Sequence, residues 1–481
     1  MNATGQAPRH YRCRLTIKNI QCMLLLTSIF LNSHLFAATA SLTDAGILVG
    51  ATAEVGSADK EGLFDWKDAD KVKGVIKQEF GLVQTTAYPA WGVWTGTAQN
   101  PKTYDLTSTN KVINWADAEG KKIAIHLLAG SGTYFPAWFN TGTWTNAQIE
   151  DLLTHWISSI MTSNNNSTKV DYWNVVNEAF TWDGQYWANE AECRWQQLGW
   201  EEDKSGLSGA AKVYEKHPVY IRKAFEIARK YSTAKLELRD YYIEFWDDSK
   251  KARAFYQLVK HLKNSGVPID AIGFQGHFRL DKSYDWAQLT KAVQEYKKLG
   301  LEVYITEIDY GDTDQIAPAK QSNWSAQMEA AQKTGYYNFV KAAVAGGVDW
   351  LCLWGVADNT NTYWRMGQDA LLFTAQYQPK AVYTDFRKAI VDVKGNVGTI
   401  KTSRSSEKKN ILIKMQNNKL YVQGLSKGTG TATFYNLDGT QTGSSNVING
   451  IAEINNRTNR ISIIRLTSSS GKYSTWHYVN K

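Results

Sequence analysis

The sequence predicts a closed (β/α)8 barrel, an α/β fold, followed by a small C-terminal β-sandwich. Three observations carry this. Eight short apolar runs alternate with longer amphipathic segments between Ile47 and Val356. No Gly-rich nucleotide loop follows the first run, as an open doubly wound sheet would favour. After Lys394 the texture turns to Ser, Thr, Asn, Gly and Lys. With 481 residues, 43% of them hydrophobic, the chain can bury a large core and carry an appendage.

The first forty residues hold Arg9, Arg12, Arg14 and Lys18, then an apolar run from Ile20 to Phe36, then Ala38-Thr39-Ala40. That order of charge, apolar stretch and small-x-small triplet is expected of an export signal spanning 1–40. Asn32 and His34 interrupt the run, which favours a cleaved signal over a retained anchor. Its removal takes away Cys13 and Cys22, leaving Cys193 and Cys352, which form no disulfide framework and no metal-ligand spacing.

The barrel runs fall at about 47–55, 82–86, 122–129, 172–179, 235–241, 271–278, 302–310 and 350–358 within a catalytic domain over 41–394. Ala252, Phe255, Val259 and Leu262 recur at helical spacing before Gly266, and Trp286, Leu289, Val293, Tyr296 and Leu299 do so before Gly300. Polar residues sit at the carboxyl ends of the runs, as in Val175-Val176-Asn177-Glu178 and Tyr304-Ile305-Thr306-Glu307. Barrel enzymes place their chemistry there. A polar linker over 395–408 leads to short alternating segments over 409–481, such as Leu420-Tyr421-Val422, which predict the β-sandwich.

The net charge of +8 does not point to nucleic acid. Residues 1–40 carry four basic residues and no acidic one, and residues 401–481 carry twelve against Glu407, Asp438 and Glu453. The 360 residues between hold 38 basic against 43 acidic side chains, whereas a nucleic-acid binder concentrates basic charge on its folded core. The 19 Trp and 25 Tyr offer flat faces that stack on sugar rings, so those not needed for the core favour a carbohydrate partner.

Two glutamates at the ends of apolar strands call for pairing or use, because an ionised carboxylate there is costly. Glycosidic cleavage uses such a pair, one carboxylic acid to protonate the leaving oxygen and one carboxylate on the other side. Glu178 and Glu307 lie on the fourth and seventh runs, which face each other across a barrel mouth. On an ideal strand Glu307 and Asp309 share a face, as do Gln275 and His277, so a carboxylate–imidazole–carboxylate network between neighbouring strands is expected. Asn177 and Glu178 would point to opposite faces of a regular strand, so both serve one site only where the strand bends.

Tyr172-Trp173-Asn174-Val175-Val176-Asn177-Glu178-Ala179, Ile272-Gly273-Phe274-Gln275-Gly276-His277, Ile305-Thr306-Glu307-Ile308-Asp309 and Leu353-Trp354-Gly355-Val356-Ala357-Asp358 together resemble glycoside hydrolase family 10 over about residues 44–392. Leu371-Leu372-Phe373 and Tyr377-Gln378-Pro379-Lys380-Ala381 are similar to its closing segment. The resemblance implies a retaining endo-1,4-β-xylanase with no metal and no organic cofactor. It implies Glu178 as acid/base, Glu307 as nucleophile and Asn177 as donor to the 2-hydroxyl of the sugar being cleaved. Gln275, His277 and Asp309 would hold the carboxylates. Trp354 and Trp364 would wall the sugar subsites, and His126, which matches the first histidine of the family's third-strand motif, would bind substrate with them and with Tyr88 and Trp91.

The departures concentrate on the non-reducing, or glycone, side. Where the family carries Asn-Glu-Met-Lys-Trp after the second strand, this chain has Ala87-Tyr88-Pro89-Ala90-Trp91. Gly130 and Ser131 replace a Trp-His pair, and Asn-Asp-Tyr-Asn becomes Arg239-Asp240-Tyr241-Tyr242. Tyr88, Trp91 and Tyr134 are expected to supply stacking in place of lost hydrogen bonds. A second reading keeps the mechanism but moves the substrate to another β-glycan, a decorated xylan or short oligosaccharides. A third, a non-catalytic carbohydrate-binding protein, would be marked by a lost carboxylate, and both are present.

The C-terminal Ala432-Thr433-Phe434-Tyr435-Asn436-Leu437-Asp438-Gly439 resembles β-sandwich tails by which some Gram-negative bacteria sort secreted proteins to the cell surface. A secreted or surface-attached monomer is the resulting expectation. A carbohydrate-binding module is the rival, though aromatics are few there, chiefly Tyr473, Trp476 and Tyr478.

Overall fold

The computed structural model describes residues 41–53, 63–64, 68–87, 92–189, 191–246, 249–312, 324–358, 365 and 368–394, together with strand segments between 412 and 478. The expected export signal over 1–40, the linker over 395–408, and Tyr88, Trp91 and Trp364 lie outside the described residues.

Eight strands alternate with eight principal helices. The strands are β1 Leu48–Thr52, β2 Leu82–Thr86, β3 Lys122–Gly130, β4 Tyr172–Asn177, β5 Lys235–Asp240, β6 Ala271–Phe274, β7 Glu302–Gly311 and β8 Trp350–Leu353. The helices that follow them are α1 Ala69–Glu79, α2 Thr107–Ala118, α3 Asn146–Thr162, α4 Val219–Tyr231, α5 Lys250–Asn264, α6 Trp286–Lys298, α7 Ala326–Gly346 and α8 Ala381–Lys394. Each strand pairs in parallel with the next, and β8 pairs with β1, so the sheet closes as expected.

Strands buried on both faces need continuous apolar sequence, and helices on the outside need one apolar stripe. α3 shows both the stripe and its start signal. Thr145 and Gln148 form a reciprocal capping box, while Ile149, Leu152, Leu153, Trp156, Ile157 and Ile160 are buried. Trp156 donates from its indole to the Leu128 carbonyl at 2.7 Å, tying the helix to β3. α5 and α6 end with Gly266 and Gly300 just beyond them at φ 72° and 75°, as their spacing predicts. At the amino-terminal end of the barrel, Leu82, Ala124, Ala271, Tyr304, Trp350 and Cys352 fill the lumen with an apolar layer.

Several strands stop earlier than the apolar runs suggest, and three of them do so at a marked backbone turn. β4 ends at Asn177 because Glu178 takes φ +52°; β6 breaks at Gly276, φ +83°, and resumes as His277–Arg279; β8 ends before Gly355. Cys193 and Cys352 are buried free thiols. In the C-terminal region β9 Leu412–Gln416, β10 Lys419–Gln423 and β13 Ile451–Glu453 form one antiparallel sheet. β11 Gly430–Tyr435, β12 Gln441–Val447, β14 Ile463–Ser468 and β15 Ser474–Tyr478 form another. Among the described residues no helix is long and apolar enough to cross a membrane.

Candidate active site

The bend that ideal strand geometry lacks is a left-handed residue at Glu178 itself. An L-residue at φ +52° is strained by about 1–2 kcal/mol, so its surroundings must over-determine it. They do so from three sides. The Glu178 amide donates to the Arg239 carbonyl at 2.9 Å, and its carbonyl accepts from the Trp187 indole at 2.8 Å. Two residues on, the Phe180 amide donates to Asp240 Oδ2 at 3.2 Å. Asp240 is itself buried against the Lys251 ammonium at 2.7 Å, and burial pushes it up to about 7 despite that partner.

The bend turns Asn177 and Glu178 toward the same neighbour. Gln275 Nε2 donates to Glu178 Oε1 at 2.8 Å and lies 3.4 Å from Asn177 Oδ1. The Gln275 carbonyl accepts from the Glu307 amide at 2.7 Å, so one residue ties the two glutamates together, its side chain on one and its backbone on the other.

Glu307 lies inside a row of six buried side chains whose charges alternate: Glu237, Arg239, Glu307, His277, Asp309 and Arg365. Successive contacts are 2.7, 3.0, 3.2, 2.9 and 3.1 Å. With His277 protonated the row sums to zero, which is how so many charges tolerate burial. Burial pushes Glu307 up, but His126, His277 and Arg239 outweigh it and hold the carboxyl at about 2. Burial pulls His277 down, yet Asp309 and then Glu307 raise it to about 10. Burial pushes His126 down to about 3, leaving it neutral near pH 7. The fixed cation on Glu307 Oε1 is therefore Arg239, and that on Oε2 is His277.

A pH dependence follows from His277. Its folded value lies above its usual 6.5, so its stabilisation is complete below about 6.5 and lost as pH rises through about 10. The urea midpoint of the native chain should exceed that of His277→Asn by a margin that narrows between those limits. A margin constant across the window would contradict the protonated row.

The expected cluster of Asn177, Glu178, Gln275, His277, Glu307 and Asp309 is thus brought together. Trp354 is half-buried beside it, edge-on to His126 at 5.4 Å and to His277 at 6.3 Å. His126, expected among the substrate-binding residues, is instead buried between Asn174 and Arg239, with Nδ1 2.9 Å from Asn174 Oδ1. Gly130 has a positive reason to lack a side chain: a Cβ there would lie 2.5 Å from the Asn177 carbonyl and 3.2 Å from the Tyr134 ring. Tyr134 occupies that space and accepts from Asn177 Nδ2 at 2.9 Å.

Sequence reading missed the far half of the row. Glu237 and Arg239 share one face of β5, and four guanidinium N–H groups of Arg239 donate to side-chain oxygens: Glu237 Oε1 and Oε2 at 2.7 and 3.1 Å, Gln84 Oε1 at 2.9 Å and Glu307 Oε1 at 3.0 Å. The fifth faces His126 Nδ1 at 3.1 Å, a nitrogen that also lies against Asn174 Oδ1. Two opposite charges at i and i+2, alternating with Leu236 and Leu238, were the available signal. Room for Glu237 comes from Gly273 on β6, where a Cβ would meet Glu237 Oε1 at 2.0 Å. Gly273→Ala should therefore cost about 1–3 kcal/mol through overpacking. Thermal unfolding indistinguishable from the native chain would contradict this fit.

Asp203, His217 and His261 offer ligand atoms within 4.8 Å of one another. Their ring nitrogens are already engaged: His217 with Tyr186 at 2.6 Å and Asp203 at 3.0 Å, His261 with the Lys204 amide at 3.0 Å and Glu201 at 3.1 Å. A metal ion would have to displace these bonds.

Residues 42–389 match the sequence family described as Glycosyl hydrolase family 10. The chain is 30% identical over 293 residues to endo-1,4-beta-xylanase B of Neocallimastix patriciarum, covering 60% of this chain and 29% of that one. It is 24% identical over 349 residues to endo-1,4-beta-xylanase B of Thermotoga neapolitana, covering 69% of this chain and 87% of that one. The chain thus spans under a third of the first relative's length and most of the second's. Native xylanase 10B from Thermotoga maritima superposes with a TM-score of 0.59 at 23% identity over 73% of this chain and 98% of its own, a likeness of fold.

Proposed function

The chain belongs to glycosyl hydrolase family 10, and from that premise we propose that it is a retaining endo-1,4-β-xylanase, with Glu307 as nucleophile and Glu178 as acid/base. The observation that carries the reading is the division of labour between two linked carboxyls. One is locked between two cations, and the other is reached at Oε1 by the neutral amide of Gln275 at 2.8 Å. An ionised carboxylate held still suits attack at the anomeric carbon, and a carboxyl outside the charge row suits proton exchange with the leaving oxygen.

In the first step Glu307 attacks the anomeric carbon while Glu178 gives its proton to the departing sugar. In the second, Glu178 takes a proton from water as that water attacks the same carbon and frees Glu307. Asn177, held by Tyr134 and Gln275, would bond the 2-hydroxyl of the sugar being cleaved, a role its family resemblance supports. Trp354 supplies an apolar wall, and Trp364, Tyr88 and Trp91 are proposed to add further sugar contacts. The basic residues and apolar run before Ala40 support export, and the C-terminal resemblance supports attachment at a bacterial surface.

Product analysis on unsubstituted xylan, arabinoxylan, β-glucan and cellulose in parallel tests the reading. A ladder of xylo-oligosaccharides from xylan is expected. Release of monomer alone, or cleavage confined to another glycan, would favour the second reading. Its support is that Ala87 and Gly130 stand where the family carries polar or aromatic groups on the glycone side.

A further inference from the structure

The half of the charge row on β5 is not accounted for by the reaction as described. Arg239 is fully buried, so it cannot touch a sugar, yet one of its N–H groups lies 3.0 Å from Glu307 Oε1. It is built in from several strands. Glu237 chelates it on β5, and Gln84 on β2 accepts from it at 2.9 Å. Gln84 in turn donates to Thr52 Oγ1 on β1 and to the Thr306 carbonyl on β7, both at 3.0 Å. Gly273 on β6 leaves the space that Glu237 fills. Its planar fork is fixed on Glu237, and a further N–H is thereby aimed at one oxygen of the proposed nucleophile.

We propose that Arg239 is a positioning residue for the second half of the reaction, holding Glu307 Oε1 in place and stabilising the carboxylate as it leaves the sugar. The proposal rests on Glu307 being the nucleophile. When the glycosyl ester breaks, water oxygen bonds to the anomeric carbon and the electron pair of the broken C–O bond returns to the Glu307 carboxylate. The water proton passes to Glu178. Negative charge thus reappears on Glu307 in this step. A donor already in place stabilises it without reorganisation. The same contact makes the free carboxylate a weaker base, so Arg239 speeds departure of the ester at some expense to its formation.

Every charged or titratable group around Glu307 enters its pH behaviour: Arg239 backed by Glu237 on β5, the neutral His126 on β3, His277 beyond β6, and Asp309 on β7 backed by Arg365. Replacing Arg239 alone would strand Glu237, so the informative variant is the double change Arg239→Gln with Glu237→Gln, which removes one charge of each sign and leaves the row neutral. Arg239→Lys is its companion, keeping the charge but losing the fork.

Steady-state and pre-steady-state kinetics on an aryl β-xyloside with a good leaving group test the proposal. The double variant should show kcat lower by roughly 10- to 100-fold. KM should not rise. The acidic limb of kcat/KM should move upward by about one to two pH units, and a burst of phenol should appear as the ester accumulates. Arg239→Lys should restore part of kcat and return the acidic limb toward its native position. A purely structural role would lower the active fraction and leave the limb and the burst unchanged. If the native chain turns over this substrate and both variants keep the native limb without a burst, the role of Arg239 is overturned alone. If the native chain cleaves neither the aryl β-glycosides nor xylan, or if a fluorinated sugar traps the ester on another residue, Glu307 is no nucleophile and both readings fall.

Discussion

Glu307→Gln is expected to lower kcat by roughly 10^5 to 10^6, on xylan and on aryl β-xylosides alike. The loss comes first from chemistry, since an amide does not form the glycosyl ester. The surrounding row adds a second effect. Both Glu307 oxygens accept from cations, Oε1 from Arg239 and Oε2 from His277. An amide offers one oxygen and one NH2, so one of those cations would face a donor, and the row would carry an uncompensated positive charge. Of the two, only His277 can shed a proton. The variant should therefore fold with His277 neutral and accepting from the new NH2, and its histidine titration should fall from about 10 toward the ordinary 6.5. Residual turnover within about a thousandfold of native would assign the nucleophile elsewhere. So would trapping of the ester by a fluorinated sugar on a residue other than Glu307.

The eight strands were legible because burial on both faces demands continuous apolar runs, and their order around the barrel followed from strand–helix alternation. The link from His277 to Glu307 and Asp309 was legible because side-chain alternation places the two carboxylates on one face of β7, although the break at Gly276 parts Gln275 from His277. What escaped was whatever depends on breaking the alternation. The bend at Glu178 is set by hydrogen bonds from Trp187, the Arg239 carbonyl and Asp240, residues 9, 61 and 62 positions away, and local sequence carries no sign of them. The join between Arg239 and Glu307 crosses 68 positions and depends on the missing Cβ of Gly273. Arg239 itself was noticed only as a departure. Its meaning lay in Glu237 two residues before it and in the space opposite, which only closure of the barrel supplies.

Glu178→Ala should separate the two carboxylates by role. On xylan, whose leaving sugar needs a proton, the loss is expected at roughly 10^2 to 10^4. On an aryl xyloside whose phenol leaves unprotonated, the ester should still form at close to the native rate. It should then accumulate, because no base remains to activate water. A small nucleophilic anion such as azide, which needs no base, should restore turnover and appear bonded to the sugar with its configuration retained. Equal loss on all leaving groups, or no rescue, would sink the assignment. The backbone gives an independent check. At φ +52° an L-residue is strained by about 1–2 kcal/mol, while glycine is not, at an entropic cost of about 0.5–1 kcal/mol in the unfolded chain. Glu178→Gly should therefore be more stable than Glu178→Ala by about 0.5–1 kcal/mol. A position where glycine outranks alanine in stability is the expected signature of backbone strain kept for the placement of a proton donor.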